Sequence, residues 1–140
     1  FPEYNDNIEN ALNEISNTLK NKLPDAAFLG MGSDGHTAGI FNVNTKEEYC
    51  YCIKNSYEPY QRITVSMNVL MNIPHLIFFI TGIKKKMLTQ VLSKGNKTDS
   101  TPTSFLLLNG YGQKTIICDD KSAPSGYPPG ETIIDRSSII

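Results

Sequence analysis

Between Pro74 and Gly82 the chain reads His75-Leu76-Ile77-Phe78-Phe79-Ile80-Thr81, and this run is the firmest constraint on what it can fold into. Five consecutive apolar residues closed off by a proline and a glycine suit a buried strand; they fall far short of the ~20 needed to cross a bilayer as a helix. The stretch that follows changes period. Over residues 83–94, Ile83, Met87, Val91 and Leu92 fall on one helical stripe, and Gly95 stands where a helix is usually capped. A buried strand feeding an amphipathic helix is the repeating unit of a sheet covered by helices.

The rest of the chain continues the alternation. Tyr4, Ile8, Ala11, Leu12, Ile15 and Leu19 predict a helix over residues 3–22, stopped by Pro24. Residues 26–31 read as a buried strand running into a glycine-rich turn, followed by a short helix that starts near His36 and carries Ile40 and Phe41 toward the core. Two further strands are expected over residues 49–54 and 62–66, two helical turns over 67–73, a polar loop over 96–103, an apolar stretch over 104–108 and a last strand over 114–118. Alternation with right-handed crossovers gives an α/β class, Rossmann-like, with a mainly parallel sheet flanked by helices. Residues 1–121 are expected to form this unit, and residues 122–140, rich in proline, glycine and serine at their start, a tail or linker.

Bulk properties exclude several classes of partner. A net charge of −1, with clustered lysines only at Lys84-Lys85-Lys86, gives no basic surface for a nucleic acid, and no stretch is apolar enough for a membrane span. Cys50 and Cys52, two apart on an expected strand, face the same way and are badly placed to pair, so a reducing, cytoplasmic setting is the simpler expectation. Neither the cysteines nor His36 and His75 show metal-ligand spacing. His75, with no matching partner, reads as structural. The chain starts at Phe1-Pro2 without an initiator methionine or a signal-like segment, which reads as a cut or processed piece.

The chemistry concentrates at the end of the strand over residues 26–31. Gly30, Gly32 and Gly35 satisfy the Gly-x-Gly-x-x-Gly pattern of a dinucleotide-binding turn, but that reading needs an acid after the next strand to hold a ribose. Here the next strand ends in Lys54-Asn55. The full string, Phe28-Leu29-Gly30-Met31-Gly32-Ser33-Asp34-Gly35-His36-Thr37-Ala38-Gly39-Ile40-Phe41, is more restrictive. It resembles the signature of the 6-phosphogluconolactonase family, close to Leu-Gly-Met-Gly-Pro-Asp-Gly-His-Thr-Ala-Ser-Leu-Phe-Pro. Ser33, Gly39, Ile40 and Asn42 depart from it without removing a reactive group. Arg62-Ile63-Thr64-Val65-Ser66 resembles the family's Arg-Ile-Thr-Leu-Thr segment, and residues 78–85 resemble its strand, glycine and lysine-bearing helix start.

That resemblance implies a sugar-phosphate hydrolase of the superfamily shared with glucosamine-6-phosphate isomerases, acting without cofactor or metal on 6-phospho-D-glucono-1,5-lactone in the oxidative pentose phosphate pathway. His36 would be the base that takes a proton from attacking water, since imidazole titrates nearest neutrality. Asp34 would orient that imidazole, and the amides of Gly30, Gly32 and Gly35 would meet a ligand oxygen. Arg62 and Lys85 would receive the phosphate. Plainer roles stand beside these: Asp34 as the N-cap of the expected short helix, Arg62 as an exposed strand start, Lys85 on a solvated helix face.

Two rival functions remain open at this level. Glucosamine-6-phosphate deaminases share the Asp-Gly-His core but continue into Asn-Glu-Pro, where this chain has Phe41-Asn42-Val43 without the glutamate. Alternatively the chain is a non-catalytic fragment. The family's earlier half supplies a Gly-Gly-Ser/Thr loop and an Asp-Glu-Arg segment that these 140 residues lack, so the expected fold is the C-terminal half of the domain, incomplete on its N-terminal side. The resemblance also allows a fusion to a glucose-6-phosphate dehydrogenase domain.

Overall fold

The computed structural model describes residues 8–44, 46–54, 61–82, 101–123 and, for the backbone, 130–134. The helix expected over residues 83–94, with Lys84, Lys85 and Lys86, lies outside them. In chain order the elements are α1 (Ile8–Asn21), β1 (Ala26–Gly30), β2 (Cys50–Lys54), β3 (Gln61–Val65), α2 (Met67–Asn72), β4 (His75–Ile80), α3 (Pro102–Asn109), β5 (Gln113–Cys118) and β6 (Gly130–Ile134).

Four strands form the main sheet in the order β1-β4-β5-β6, with β1, β4 and β5 parallel and β6 antiparallel to β5. The α/β class is therefore observed. Gly30 stands opposite Phe79, and Ile80 opposite Cys118, so β1, β4 and β5 end at the same edge of the sheet. β2 and β3 depart from the expected alternation: they form an antiparallel pair of their own. The expected tail also changes, because Gly130–Ile134 runs along β5 as a sheet strand.

One face of the sheet holds the core. Leu76, Phe78 and Ile80 on β4 are wholly buried beside Leu29, Ile116 and Cys118, under Met67, Val69, Leu70 and Ile73 from α2 and Leu106 and Leu107 from α3. Each of these large side chains contributes roughly 1.5–3 kcal/mol by leaving water. The opposite face is less covered: Phe28 is 69% and Phe79 44% exposed, and their rings stack at 6.1 Å. The apolar run of β4 thus hides a period of two, because a strand presents alternate residues to opposite faces.

The helix boundaries follow local chemistry. Ser66 caps α2, its hydroxyl accepting the Val69 N–H at 3.3 Å, and the helix stops at Ile73, extended at φ −70° and ψ 129°, because the following proline disfavours helical backbone there. Thr101 caps α3 in the same way, accepting from the Ser104 N–H at 3.3 Å, with Pro102 opening the helix. Residues 102–103, expected in the polar loop, are thus the first turn of this helix. α1 lays its apolar stripe against the core through Leu19, and the buried Cys50 thiol donates to the Leu12 carbonyl at 3.2 Å.

Candidate active site

The turn that leaves β1 closes on itself. The Gly32 N–H donates to the His36 carbonyl at 2.9 Å, the Gly35 N–H to the Gly32 carbonyl at 3.1 Å, and the Thr37 hydroxyl to the Gly30 carbonyl at 2.7 Å. This corrects one expectation: the amides of Gly32 and Gly35 hold the loop together rather than facing a ligand. The glycines are needed for other reasons. A Cβ on Gly32 would run into the His36 ring and sit 2.7 Å from the Asp34 carboxylate; Gly35 adopts φ +83°, a left-handed conformation costly for other residues. At Gly30 a Cβ would meet nothing within 4 Å, so packing does not demand glycine there.

No helix follows. Ala38 and Gly39 have φ of 50° and 76°, and Thr37 and Ile40 exchange backbone hydrogen bonds of 3.3 and 2.7 Å across them, a tight reversal in place of the expected helix. Ile40 still reaches the core, at 1% exposure. Without a helix to cap, Asp34 turns to His36: its Oδ1 lies 2.6 Å from His36 Nδ1 and accepts the His36 backbone N–H at 3.2 Å. The pair is open to solvent, the His36 side chain 35% and that of Asp34 60% exposed, while Phe41 packs against the imidazole with centroids 4.6 Å apart. Slight burial works against the Asp34 charge, but hydrogen bonds from the His36 ring and backbone, with the charge of the imidazole, outweigh it and hold the carboxyl below its ordinary value.

This arrangement selects a tautomer. A carboxylate on Nδ1 favours the proton there, which leaves Nε2 as the basic nitrogen. Such a histidine can accept a proton from water and return it, while the aspartate steadies the imidazolium in between.

β3 packs beside the reversal and brings a cation. The Thr64 hydroxyl donates to the Ala38 carbonyl at 2.5 Å, and Arg62, on the same strand face, has its Cδ 3.9 Å from where a Cβ on Gly39 would stand. Gly30, Gly32, Asp34, Gly35, His36 and Arg62 are therefore gathered around the C-terminal end of β1; Lys85 lies outside the described residues. Gly82, at φ +96°, donates its N–H to both Asp119 oxygens at 3.1 Å, and the Ser122 hydroxyl and N–H reach the same carboxylate at 2.5 and 2.9 Å. The Ser122 hydroxyl first, then the Gly82 N–H, hold the Asp119 carboxyl below its ordinary value. The ends of β4 and β5 are thereby tied together beside the end of β1, the edge where open parallel sheets bind ligands.

Sequence reasoning missed Thr64, Asp119, Ser122 and Thr101 because each acts through contacts distant along the chain. His75, read as structural, has its Nε2 2.9 Å from the Thr115 hydroxyl on β5.

Several known proteins are similar to this chain. A 6-phosphogluconolactonase of Helicobacter pylori (strain ATCC 700392 / 26695) is 34% identical over 112 residues, covering 76% of this chain and 49% of that protein. The human GDH/6PGL endoplasmic bifunctional protein is 27% identical over 99 residues, 67% of this chain and 12% of that protein. Among solved structures, the 6-phosphogluconolactonase of Leishmania guyanensis superposes with a TM-score of 0.68 at 23% identity, over 84% of this chain and 52% of that one, a likeness of fold. The chain spans no more than about half the length of these relatives. A family model described as glucosamine-6-phosphate isomerases/6-phosphogluconolactonase matches residues 2–116, and the chain belongs to that family.

Proposed function

We propose that this chain carries the proton-transfer part of a 6-phosphogluconolactonase active site, hydrolysing 6-phospho-D-glucono-1,5-lactone to 6-phosphogluconate in the oxidative pentose phosphate pathway. The observation that supports this most is the 2.6 Å pairing of His36 Nδ1 with Asp34 at the C-terminal end of β1. In this reading Nε2 of His36 takes a proton from water as the water oxygen bonds to the lactone carbonyl carbon. The tetrahedral intermediate then expels the ring oxygen, which receives that proton from the imidazolium and leaves as the C5 hydroxyl. The acid produced ionises to the carboxylate.

Arg62, beside the reversal that follows His36, and Lys85, three residues past Gly82, are proposed to hold the phosphate dianion. A further domain on the same polypeptide is compatible with the name of the human bifunctional relative. A reducing, cytoplasmic setting fits Cys50 and Cys52, which lie two apart on β2 and are badly placed to pair with each other. Among the described residues no helix is long and apolar enough to cross a membrane.

Acid release at constant pH from freshly generated lactone tests the reading. The expected result is turnover above spontaneous opening, weak if the family's other half contributes groups, and reduced at least ~100-fold in kcat by His36→Ala with KM little changed. Near-normal kcat in that variant would remove His36 from the mechanism. Ammonia release from glucosamine 6-phosphate would instead assign the chain to the deaminase branch, and inactivity on both substrates would make it a non-catalytic member.

A further inference from the structure

His36 sits on a loop, and a loop holds a base only as well as whatever stands behind it. Behind this one stands the first turn of α3. The Gly35 carbonyl accepts the Thr103 N–H at 3.1 Å, and a Cβ on Gly35 would lie 2.6 Å from Thr101 Cβ, 2.8 Å from its Oγ1 and 2.9 Å from its Cγ2. The Thr101 side chain fills the space on the side of Gly35 where any other residue would carry a side chain.

Thr101 cannot easily give way. Its Oγ1 accepts from the Ser104 N–H at 3.3 Å and lies 2.7 Å from the Ser104 hydroxyl, and its carbonyl accepts the Phe105 N–H at 2.9 Å. Leu106 and Leu107, one turn on, are buried in the core at 0% and 1% exposure. The N–H groups of Thr103, Ser104 and Phe105 are all used in these bonds, and Pro102 has none. This helix start is a wall, not a site for an anion.

We propose that Thr101 is a positioning residue for His36. Its branched side chain fixes the left-handed Gly35 peptide, and the Gly32 N–H bond to the His36 carbonyl closes the loop so that the imidazole stays on Asp34. Only the kinetic arm of the test rests on the lactonase reading.

Two substitutions separate positioning from capping, because they predict opposite orders. Thr101→Val keeps the branched bulk against Gly35 and loses the capping oxygen; Thr101→Gly removes the bulk yet leaves a residue that caps helices nearly as well as threonine. The ring 15N shifts of His36 in the purified chain report its pairing with Asp34, and a melting curve reports stability. The expected pattern crosses: Thr101→Val lowers Tm and keeps the wild-type ring signature, while Thr101→Gly keeps most of the Tm and loses the signature. Thr101→Ser, which retains the oxygen and Cβ, restores the signature toward wild type and keeps the test decisive if Thr101→Gly does not fold.

In lactone hydrolysis Thr101→Gly lowers kcat about tenfold or more with KM within about twofold, as displacement of a base should. A ring signature that follows Tm through the series, or one unchanged in Thr101→Gly and displaced in Thr101→Ser, overturns the proposal. The crossed pattern in a chain that hydrolyses no lactone upholds the positioning role and sinks the lactonase reading.

Discussion

Asp34 is two residues from His36, close enough for one carboxylate oxygen to meet both the ring and the backbone N–H of the same residue. Its titration carries a definite sign. The native carboxyl is held below the ordinary value of 3.8, so its contribution is complete above that value and is lost as pH falls through the lower native one. The 13C shift of the Asp34 carboxyl should therefore titrate below 3.8 in the native chain and return toward it in His36→Ala; an unchanged midpoint would deny the pairing. Thr103 offers a second measurement at this scale. It is fully buried, and its hydroxyl has no hydrogen-bond partner among the described residues, although its N–H serves Gly35. Valine has the same shape without the stranded oxygen, so Thr103→Val should raise stability by about 1 kcal/mol in urea denaturation. A loss of that size would mean that the hydroxyl is satisfied.

Elements were legible where a period or a stop signal marks them. Pro74 after Ile73 ends α2, and the spacing of Ile8, Leu12, Ile15 and Leu19 marks α1, with Pro24 beyond its end. Ser66→Ala should cost about 1 kcal/mol in urea denaturation, and somewhat more if its buried surroundings leave the Val69 N–H unpaired, since Ser66 is 0% exposed. No change in the midpoint would show the cap to be idle. Elements were not legible where the same residues serve two patterns. Ile40 is core in a helix or in a reversal, and what decided for the reversal was the backbone at Ala38 and Gly39, held by Thr64 from β3. Thr101-Pro102 is a sound helix start, yet a polar run before it and a short apolar stretch after it made it look like a loop. The pairing of His36 with Asp34 was legible because Asp34, Gly35 and His36 are neighbours in sequence. The wall at Thr101 was not, because it is a tertiary contact.

At the scale of the molecule, the sheet has a parallel core, and its described end beyond β5 is closed by one antiparallel strand from the segment expected to trail away. Gly130–Ile134 pairs with Lys114–Cys118 from one end to the other. The β5 residues facing the core, Lys114, Ile116 and Cys118, are buried, and the Lys114 ammonium is held by the Gly110 carbonyl at the end of α3. Removing β6 would leave the N–H and C=O groups along that side of β5 as an open edge, which proteins ordinarily cover because it templates pairing with another chain. The boundary can then be located by cutting the chain. If a free tail begins at Ser122, ending the chain at Lys121 changes nothing. Ser122 argues otherwise, since it is wholly buried and its hydroxyl lies within hydrogen-bond reach of both the Ile80 carbonyl, at 2.6 Å, and the Asp119 carboxylate, at 2.5 Å. Two truncations separate these contributions. Ending at Ala123 removes β6 but keeps Ser122 and should lower stability by roughly 1–3 kcal/mol, from the loss of the pairing with β5, with self-association visible in size-exclusion chromatography. Ending at Lys121 should in addition loosen Asp119 and with it the Gly82 turn, so that variant should lose more stability than the first. Equal stability of both truncations and the intact chain would return residues 122–140 to the role of a linker.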